Sequence, residues 1–319
     1  MYNKRNAKLR ELLARPGVLA IPGCHDGISA RMIQKVGYEV CYLGGNASMG
    51  SLLGRPDIGL GTATEMVGKA HLIADCIDLP LICDADTGYG DLNNVWRTVR
   101  DYEAAGVSGI HIEDQVMPKK CGSMDGVKVI PLDEMCEKIK IACKARRDPN
   151  FVIIARTDCY KSTNLDEAIY RCQKLSEAGA DLLMPTCIHD PVEMRKVTSS
   201  VKETPFLIDI CEFSDREASF SDQDLWELGF KVVLRPLTSV LYMSHMLEGL
   251  YRHYKEHGSM ESFYRAGELY SQNEYQDLLG FQFTRAYLKT KYSCTISTKS
   301  KWKQDGQKQE RTQQAYHSV

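Results

Sequence analysis

The sequence predicts an α/β fold, a (β/α)8 barrel of the TIM type with extra helices at its C-terminal end. Three observations carry that expectation. Eight short apolar runs rich in Ile, Val and Leu recur about every 30 residues, the length of a βα unit. Most lack clean alternation, as strands covered on both faces do. Segments with helical spacing separate them, and strand alternating with helix implies a parallel sheet. An open doubly wound sheet would need a Gly-rich phosphate turn, and Gly88-Tyr89-Gly90 is a loop glycine pair instead.

The runs are Val18–Ile21, Glu39–Leu43, Leu79–Cys83, Gly109–Glu113, Phe151–Ala155, Asp181–Met184, Phe206–Ile210 and Lys231–Leu234. The clearest helices between them are Thr64–Ile77, Val95–Ala105, Leu132–Ala145 and Leu165–Ala178. Gly179 and the Asp148-Pro149 pair supply stop signals for the last two. Beyond Leu234, helical stretches are expected at about Ser239–Glu256 and Glu261–Lys291. Met243, Met246, Leu247, Leu250 and Tyr254 recur at helical spacing and read as a packing stripe. Residues 1–292 are read as one barrel domain whose helices from about 239 to 292 serve oligomerisation. From about 293 Lys, Gln, Ser and Thr dominate, so 293–319 is read as a polar, disordered tail.

The 319 residues carry 40 Lys plus Arg against 42 Asp plus Glu, a net charge of −2, which argues against a nucleic-acid binder relying on bulk charge. No apolar run reaches the roughly 20 residues of a membrane helix. Met1–Arg15 is basic without an apolar core, unlike a secretory signal. The 12 cysteines contain no Cys-x-x-Cys pair, so buried thiols in a reducing cytoplasm are expected rather than disulfides or structural zinc.

In a barrel of this kind the active site lies where strands end and βα loops begin. The second run is followed by Gly44-Gly45-Asn46 and the third by Asp84-Ala85-Asp86. The fourth ends in Glu113-Asp114 and the fifth in Arg156-Thr157-Asp158. The sixth ends in Pro185-Thr186, the seventh reaches Asp209 to Glu212, and the eighth ends in Arg235. Asp84 and Asp86, two apart on a strand, are expected to point the same way, and Glu113 on the neighbouring strand to join them. Hard oxygen ligands without a thiolate pair suit Mg2+, with Mn2+ as an alternative. Lys119-Lys120-Cys121-Gly122-Ser123 lies in a long loop read as a mobile lid, where two lysines beside a thiol favour the thiolate. The other eleven cysteines read as structural. No histidine shows ligand spacing, so each reads as a core or surface residue, His111 beside Glu113 included.

Taken together, Gly54-Arg55-Pro56-Asp57, Asp84-Ala85-Asp86-Thr87-Gly88-Tyr89-Gly90, His111-Ile112-Glu113-Asp114-Gln115, Lys119-Lys120-Cys121-Gly122 and Ala155-Arg156-Thr157-Asp158 resemble the isocitrate lyase and phosphoenolpyruvate mutase superfamily, most of all its 2-methylisocitrate lyase branch. The resemblance covers about residues 7 to 290. It implies a (β/α)8 barrel, a Mg2+ site and a homotetramer whose C-terminal helix packs on a neighbour. By resemblance, Asp86 is the direct metal ligand, with Asp84, Glu113 and Asp57 in a water-mediated shell. Gly44 and Gly45 match backbone positions that hold the substrate carboxylate. Tyr42 falls near the reacting oxygen, Arg156 binds it, and Cys121 is the loop thiol that acts as acid or base.

Four positions depart from the lyase pattern. Ser123 stands where the lyase loop has His, Thr186 where a Glu follows the Pro, Asp209 where there is Asn, and Cys211 where there is Thr. The resemblance therefore implies a Mg2+-dependent lyase that cleaves a 2-hydroxy carboxylic acid into a 2-oxo acid and a carboxylic acid, with an altered substrate. Arg235 is the candidate compensating cation for the distal end. Alternatives are an oxaloacetate-type hydrolase or decarboxylase, a carboxyphosphonoenolpyruvate or phosphonopyruvate enzyme, and a barrel that has lost catalysis and serves as a subunit.

Overall fold

The computed structural model describes residues 3–281. The expected tail 293–319, and the end of the expected helix Glu261–Lys291, lie outside the described residues. Eight strands form a closed parallel barrel in chain order. They are β1 Leu19–Cys24, β2 Cys41–Leu43, β3 Leu81–Asp84, β4 Gly109–Glu113, β5 Val152–Thr157, β6 Leu182–Pro185, β7 Phe206–Asp209 and β8 Phe230–Arg235. β8 closes on β1 with Ile21 opposite Leu234. The fold is the (β/α)8 barrel that the sequence predicts.

The helices before the fourth strand are α1 Lys4–Ala14, α2 Gly27–Lys35, α3 Gly45–Leu53, α4 Ala63–Cys76 and α5 Leu92–Ala104. Those that follow are α6 Leu132–Ala145, α7 Leu165–Glu177, α8 Pro191–Thr198, α9 Asp215–Ser219, α10 Asp222–Glu227 and α11 Thr238–His257. Side-chain caps start most of them: Asp26 accepts from the Ser29 amide, and Thr62 and Glu65 form a capping box.

The chain divides into two compact units, one through Ser262 and one from Phe263. The single helical stretch expected from Glu261 is broken into α12 Glu261–Ala266 and α13 Gln272–Leu278. Gly267, at φ 72°, ends the first, and the Ser271–Glu274 capping box starts the second. Among the described residues no helix is long and apolar enough to cross a membrane. Their eleven cysteines are all free thiols.

Alternation along the strands creates two cores. Cys83, Ile110, Ile153, Leu183, Ile208 and Val233 face outward and pack on helix residues such as Ala70, Val99, Ile139 and Leu175. Ile21, Ile82, Ile154, Leu182, Leu207 and Leu234 fill the barrel interior. Leu9 and Leu12 of α1 join that interior cluster. Arg10 anchors the helix by donating from Nη1 to Asp181 Oδ1 at 2.8 Å. The basic N-terminal segment is thus part of the barrel's core, a role its charge pattern did not reveal.

Two residues further along the same strands, Ile82 is followed by Asp84, Ile154 by Arg156 and Leu207 by Asp209. The interior therefore turns from apolar to ionic at the C-terminal end of the barrel. Register aligns these groups, with Asp84 opposite His111 and Glu113 opposite Arg156.

Gly23 of β1 marks a close approach: a Cβ there would collide with the Pro236 backbone carbonyl just after β8. Gly23→Ala should therefore lower stability by about 1–3 kcal/mol, because backbone rather than a side chain must yield. Gly68, within α4, faces open space, and Gly68→Ala should raise stability by about 0.5–1 kcal/mol. Thermal melts of both variants check the pair; shifts of the same sign would contradict this account of the β1–β8 seam.

Candidate active site

Among the described residues the backbone is held in the left-handed region at four non-glycine positions, Asp86 (φ 47°), Tyr89 (60°), Cys187 (63°) and Glu212 (51°). All follow the C-terminal ends of β3, β6 or β7. Such conformations cost on the order of 1–3 kcal/mol each and persist where surrounding structure imposes them, often at functional sites.

Asp84 ends β3. Its Oδ2 accepts the Gly45 amide at 3.0 Å and its Oδ1 the Asp86 amide at 2.9 Å. Gly45 tolerates no side chain, because a Cβ would sit 2.7 Å from Asp84 Oδ2. Burial opposes ionisation of Asp84, but His111, Lys119 and Arg156 together hold its carboxyl below the usual range. Burial also lowers the His111 pKa to about 4, so at neutral pH that pull comes from Lys119 and Arg156. Asp86 lies beyond the strand, and its left-handed backbone removes it from the strand's alternation. The expectation that it parallels Asp84 because the two are strand residues is corrected here. Burial raises the Asp86 pKa to about 6 against the pull of Lys119.

Lys119 is the unexpected member of the cluster. It is 2% exposed, and its Nζ lies 2.6 Å from Asp86 Oδ1 and 2.9 Å from Asp57 Oδ1. Although burial works against the ammonium, Glu113, Asp84, Asp86 and Asp57 outweigh it and raise its pKa well above the ordinary value. Lys120 donates to the Asp125 carbonyl. Both lysines are engaged away from the thiol, which corrects the expectation that they activate Cys121. The loop is pinned as well. Gln115 Nε2 donates to the Lys120 carbonyl at 2.8 Å and to Asp158 Oδ2 at 2.5 Å, and the Cys121 amide donates to the Asp57 carbonyl.

Arg156 forks onto Asp158, with Nε and Nη2 at 2.9 and 3.0 Å from its two oxygens. Its Nη1 lies 3.1 Å from Glu113 Oε2, an ion pair without hydrogen-bond alignment. Both Glu113 oxygens are buried without a hydrogen bond, and burial raises the Glu113 pKa well above the carboxylate range. Tyr42 Oη and His111 Nε2 are 2.8 Å apart, and His111 Nδ1 is 3.5 Å from Asp84 Oδ1. His111 thus joins Tyr42 to the carboxylates, a link that sequence spacing did not expose.

These groups adjoin one cavity. Tyr42, Gly44, Gly45, Asn46, Asp57, Asp84 and Arg156 line it, as do Cys121, Gly122 and Ser123 from the loop and Asp209 and Cys211 after β7. Cys121 Sγ lies 3.1 Å from Ser123 Oγ. Asp86 and Glu113 stand behind this lining. Two expected substrate contacts do not reach it. Thr186 is buried and donates to Asp158 Oδ1 at 2.6 Å. Arg235 is taken up by Glu212 at 2.8 Å and Asp222 at 3.1 Å, so it is not the distal cation expected from sequence. Conversely, Met184, Cys187, His189, Phe213, Glu217, Pro236 and Leu237 line the cavity without having been singled out. Met184 lies on β6 and Glu217 on the short helix α9, and the others lie in loops after β6, β7 and β8, so only position at this end of the barrel could have signalled them.

Among the described residues, no three His, Cys, Asp or Glu side chains converge as a ready ion site. The donor set is nevertheless of the right kind. Asp57, Asp84, Asp86 and Glu113 offer hard oxygens, the Glu113 pair is orphaned in a buried site, and an ammonium already sits against Asp57 and Asp86. The residues present fit a divalent cation.

Comparison with known proteins agrees with this geometry. Residues 9–248 match the family model described as phosphoenolpyruvate phosphomutase. The 2,3-dimethylmalate lyase of Eubacterium barkeri is 37% identical over 279 residues, covering 88% of this chain and 95% of that protein. A probable 2-methylisocitrate lyase of Corynebacterium glutamicum is 37% identical over 260 residues, 82% of this chain and 85% of its own length. The solved structure of an oxaloacetate acetylhydrolase with the inhibitor 3,3-difluorooxalacetate matches with a TM-score of 0.83 at 26% identity, covering 91% of this chain and 98% of that one. The chain belongs to the phosphoenolpyruvate mutase/isocitrate lyase superfamily of lyases and mutases.

Proposed function

We propose that this chain is a Mg2+-dependent lyase that breaks the C2–C3 bond of a small 2-hydroxy dicarboxylic acid, giving a 2-oxo acid and a carboxylic acid. The observation that carries the reading is the convergence of Arg156, the Tyr42–His111 pair and the Cys121 thiol on one cavity. The similarity to lyases acting on 2,3-dimethylmalate and 2-methylisocitrate supports it.

Asp86 would hold the metal, with Asp84, Glu113 and Asp57 around it; Mn2+ would serve in its place. When bound, the metal supplies Lewis-acid stabilisation of negative charge on the substrate's 2-oxygen. The chain's own residues do the rest. The Gly44 and Gly45 backbone, with Asn46, receives the carboxylate of the reacting end. Arg156 faces the 2-oxygen, and its Asp158 fork fixes the guanidinium plane. The hydroxyl proton leaves to Tyr42 as Tyr42 passes its own to His111 Nε2, whose other nitrogen faces Asp84. The C2–C3 electron pair moves onto C3 and its carboxylate, and the Cys121 thiol protonates C3. The loop carrying Cys121 excludes water from this carbanion.

The distal pocket supports a substrate smaller than a tricarboxylate. Arg235 is committed to Glu212 and Asp222, Ser123 offers a neutral donor, and the acid Asp209 lines the cavity. Exposed Leu241, Tyr242, Met246, Tyr251 and Tyr254 along α11 support the accompanying proposal of a homotetramer.

Metal dependence is checked by calorimetric titration with Mg2+ alongside turnover. Asp86→Asn should lose both while keeping its fold; full turnover in excess chelator would remove the metal from the reading.

Cys121 is tested by reactivity and by replacement. Cavity thiols Cys187 and Cys211 are held protonated by burial, which raises Cys187 to about 12 and Cys211 further. At pH 7.5 iodoacetamide should therefore label Cys121 ahead of both, as read by peptide mapping. Cys121→Ser should lower kcat by at least about 100-fold. Unchanged turnover would favour the hydrolase or decarboxylase reading.

A panel of 2-hydroxy and 2-oxo acids tests the substrate class. 2-Methylisocitrate should give a kcat/KM at least about 100-fold below that of the best dicarboxylate, the effect of losing about 3 kcal/mol of distal contacts. A tricarboxylate as best substrate would overturn this assignment, and phosphonopyruvate as best substrate would replace the lyase by phosphonate chemistry.

A further inference from the structure

Resting on the proposed reading of the cavity as a 2-hydroxy acid site, we propose that His189 is its specificity-determining residue, pairing with the distal carboxylate of a dicarboxylate substrate. Of the described side chains lining the cavity, only Arg156 and His189 can carry a positive charge. Arg156 is committed to the reacting end, forked on Asp158 and paired with Glu113 beside Asp84. A second carboxylate in this cavity therefore has one cationic partner left.

The site around His189 is built rather than incidental. Its Nε2 lies 3.5 Å from Glu217 Oε1. Glu217 is buried, and its Oε2 accepts from Ser214 Oγ at 2.9 Å, where Ser214 is the N-cap of α9. The carboxylate beside the imidazole is thus itself fixed at a helix start. Among the described residues no protein atom hydrogen-bonds the His189 ring, so its Nδ1 remains for a ligand. The β6–α8 loop carrying His189 turns through the left-handed Cys187, whose Sγ donates to the Gly122 carbonyl at 3.3 Å. The distal wall and the Cys121 loop are thereby tied together.

The acids facing this end do not cancel the assignment. Glu217 is compensated by Ser214 and His189. Burial raises the Asp209 pKa against the pull of Arg156, which lessens its repulsion of a bound carboxylate.

The test compares malate with lactate of the same configuration, two acids that share the reacting end and differ by the distal carboxylate. Calorimetric binding to the full-length protein with Mg2+ gives the malate-to-lactate affinity ratio, and any turnover is followed by product analysis. Wild type should prefer malate. His189→Gln should reduce the ratio by about ten-fold or more, the effect of losing a charge-assisted hydrogen bond, while lactate binding stays within about two-fold. His189→Lys, which places a cationic side chain at the same position, should recover part of the preference, and thermal melts establish that both variants fold. A ratio unchanged in folded His189→Gln, or a wild type without preference for malate, would overturn the assignment of His189 alone. Binding of neither acid would remove the underlying site reading, and the inference with it.

Discussion

Surplus buried negative charge at the C-terminal end of the barrel is the constraint on which the site depends. Five carboxyl groups, Asp57, Asp84, Asp86, Glu113 and Asp158, are gathered around two cations, Lys119 and Arg156, and all of these residues are buried. Buried charges are stable only when paired and hydrogen-bonded. Asp84 meets that demand with two backbone amides, and Asp158 meets it with the Arg156 fork, Thr186 and Gln115. Asp86 and Glu113 remain under-served, and burial raises the pKa of each. A cluster with this imbalance favours added positive charge, which is the physical support for the proposed cation site.

The same ionic network positions the loop. Lys119 reaches back into the barrel from the segment that carries Cys121, so the thiol's position is tied to Asp57 and Asp86. Gln115 links that segment to Asp158, which in turn holds Arg156. Gly122 lets the loop approach closely, since a Cβ would stand 2.7 Å from Arg156 Nη2. Loop placement, guanidinium orientation and carboxylate ionisation are therefore one coupled arrangement. These contacts hold the loop that composition suggested as a lid against the barrel.

Much of this was legible from sequence because it follows from periodicity. Eight apolar runs and their spacing gave the closed barrel, and the residues ending the runs gave Asp84, Glu113, Arg156 and Asp209. What escaped depends on reach and on irregular backbone. Lys119 was read as a neighbour of Cys121 because they are two apart in sequence, but its long stem carries the charge to Asp86. Thr186 and Arg235 sit at strand ends as expected, yet their side chains turn to Asp158 and to Glu212 and Asp222. Asp86 belongs to a left-handed turn that no alternation rule describes. His111 looked like one more core residue, and only the register of β3 with β4 brings it opposite Asp84.

The cavity has two ends of different origin, and that difference bears on how one fold serves several substrates. Tyr42, Asp84, Glu113 and Arg156 lie on strands, where the hydrogen-bonded barrel fixes them to one another. His189, Cys211, Phe213 and Glu217 lie in loops after β6 and β7 or on the short helix α9. Loops accept substitution more readily than barrel strands, because fewer backbone hydrogen bonds and packing contacts depend on them. On the proposed reading, chemistry at the 2-oxygen can thus stay constant while the distal wall is rebuilt. The departures at Ser123 and Cys211 are both on that loop-built wall; Asp209 closes β7 at its edge, and Thr186 is spent on the Arg156–Asp158 fork. In that reading the reacting end is preserved by the barrel's geometry, and substrate choice is left to the segments that the geometry constrains least.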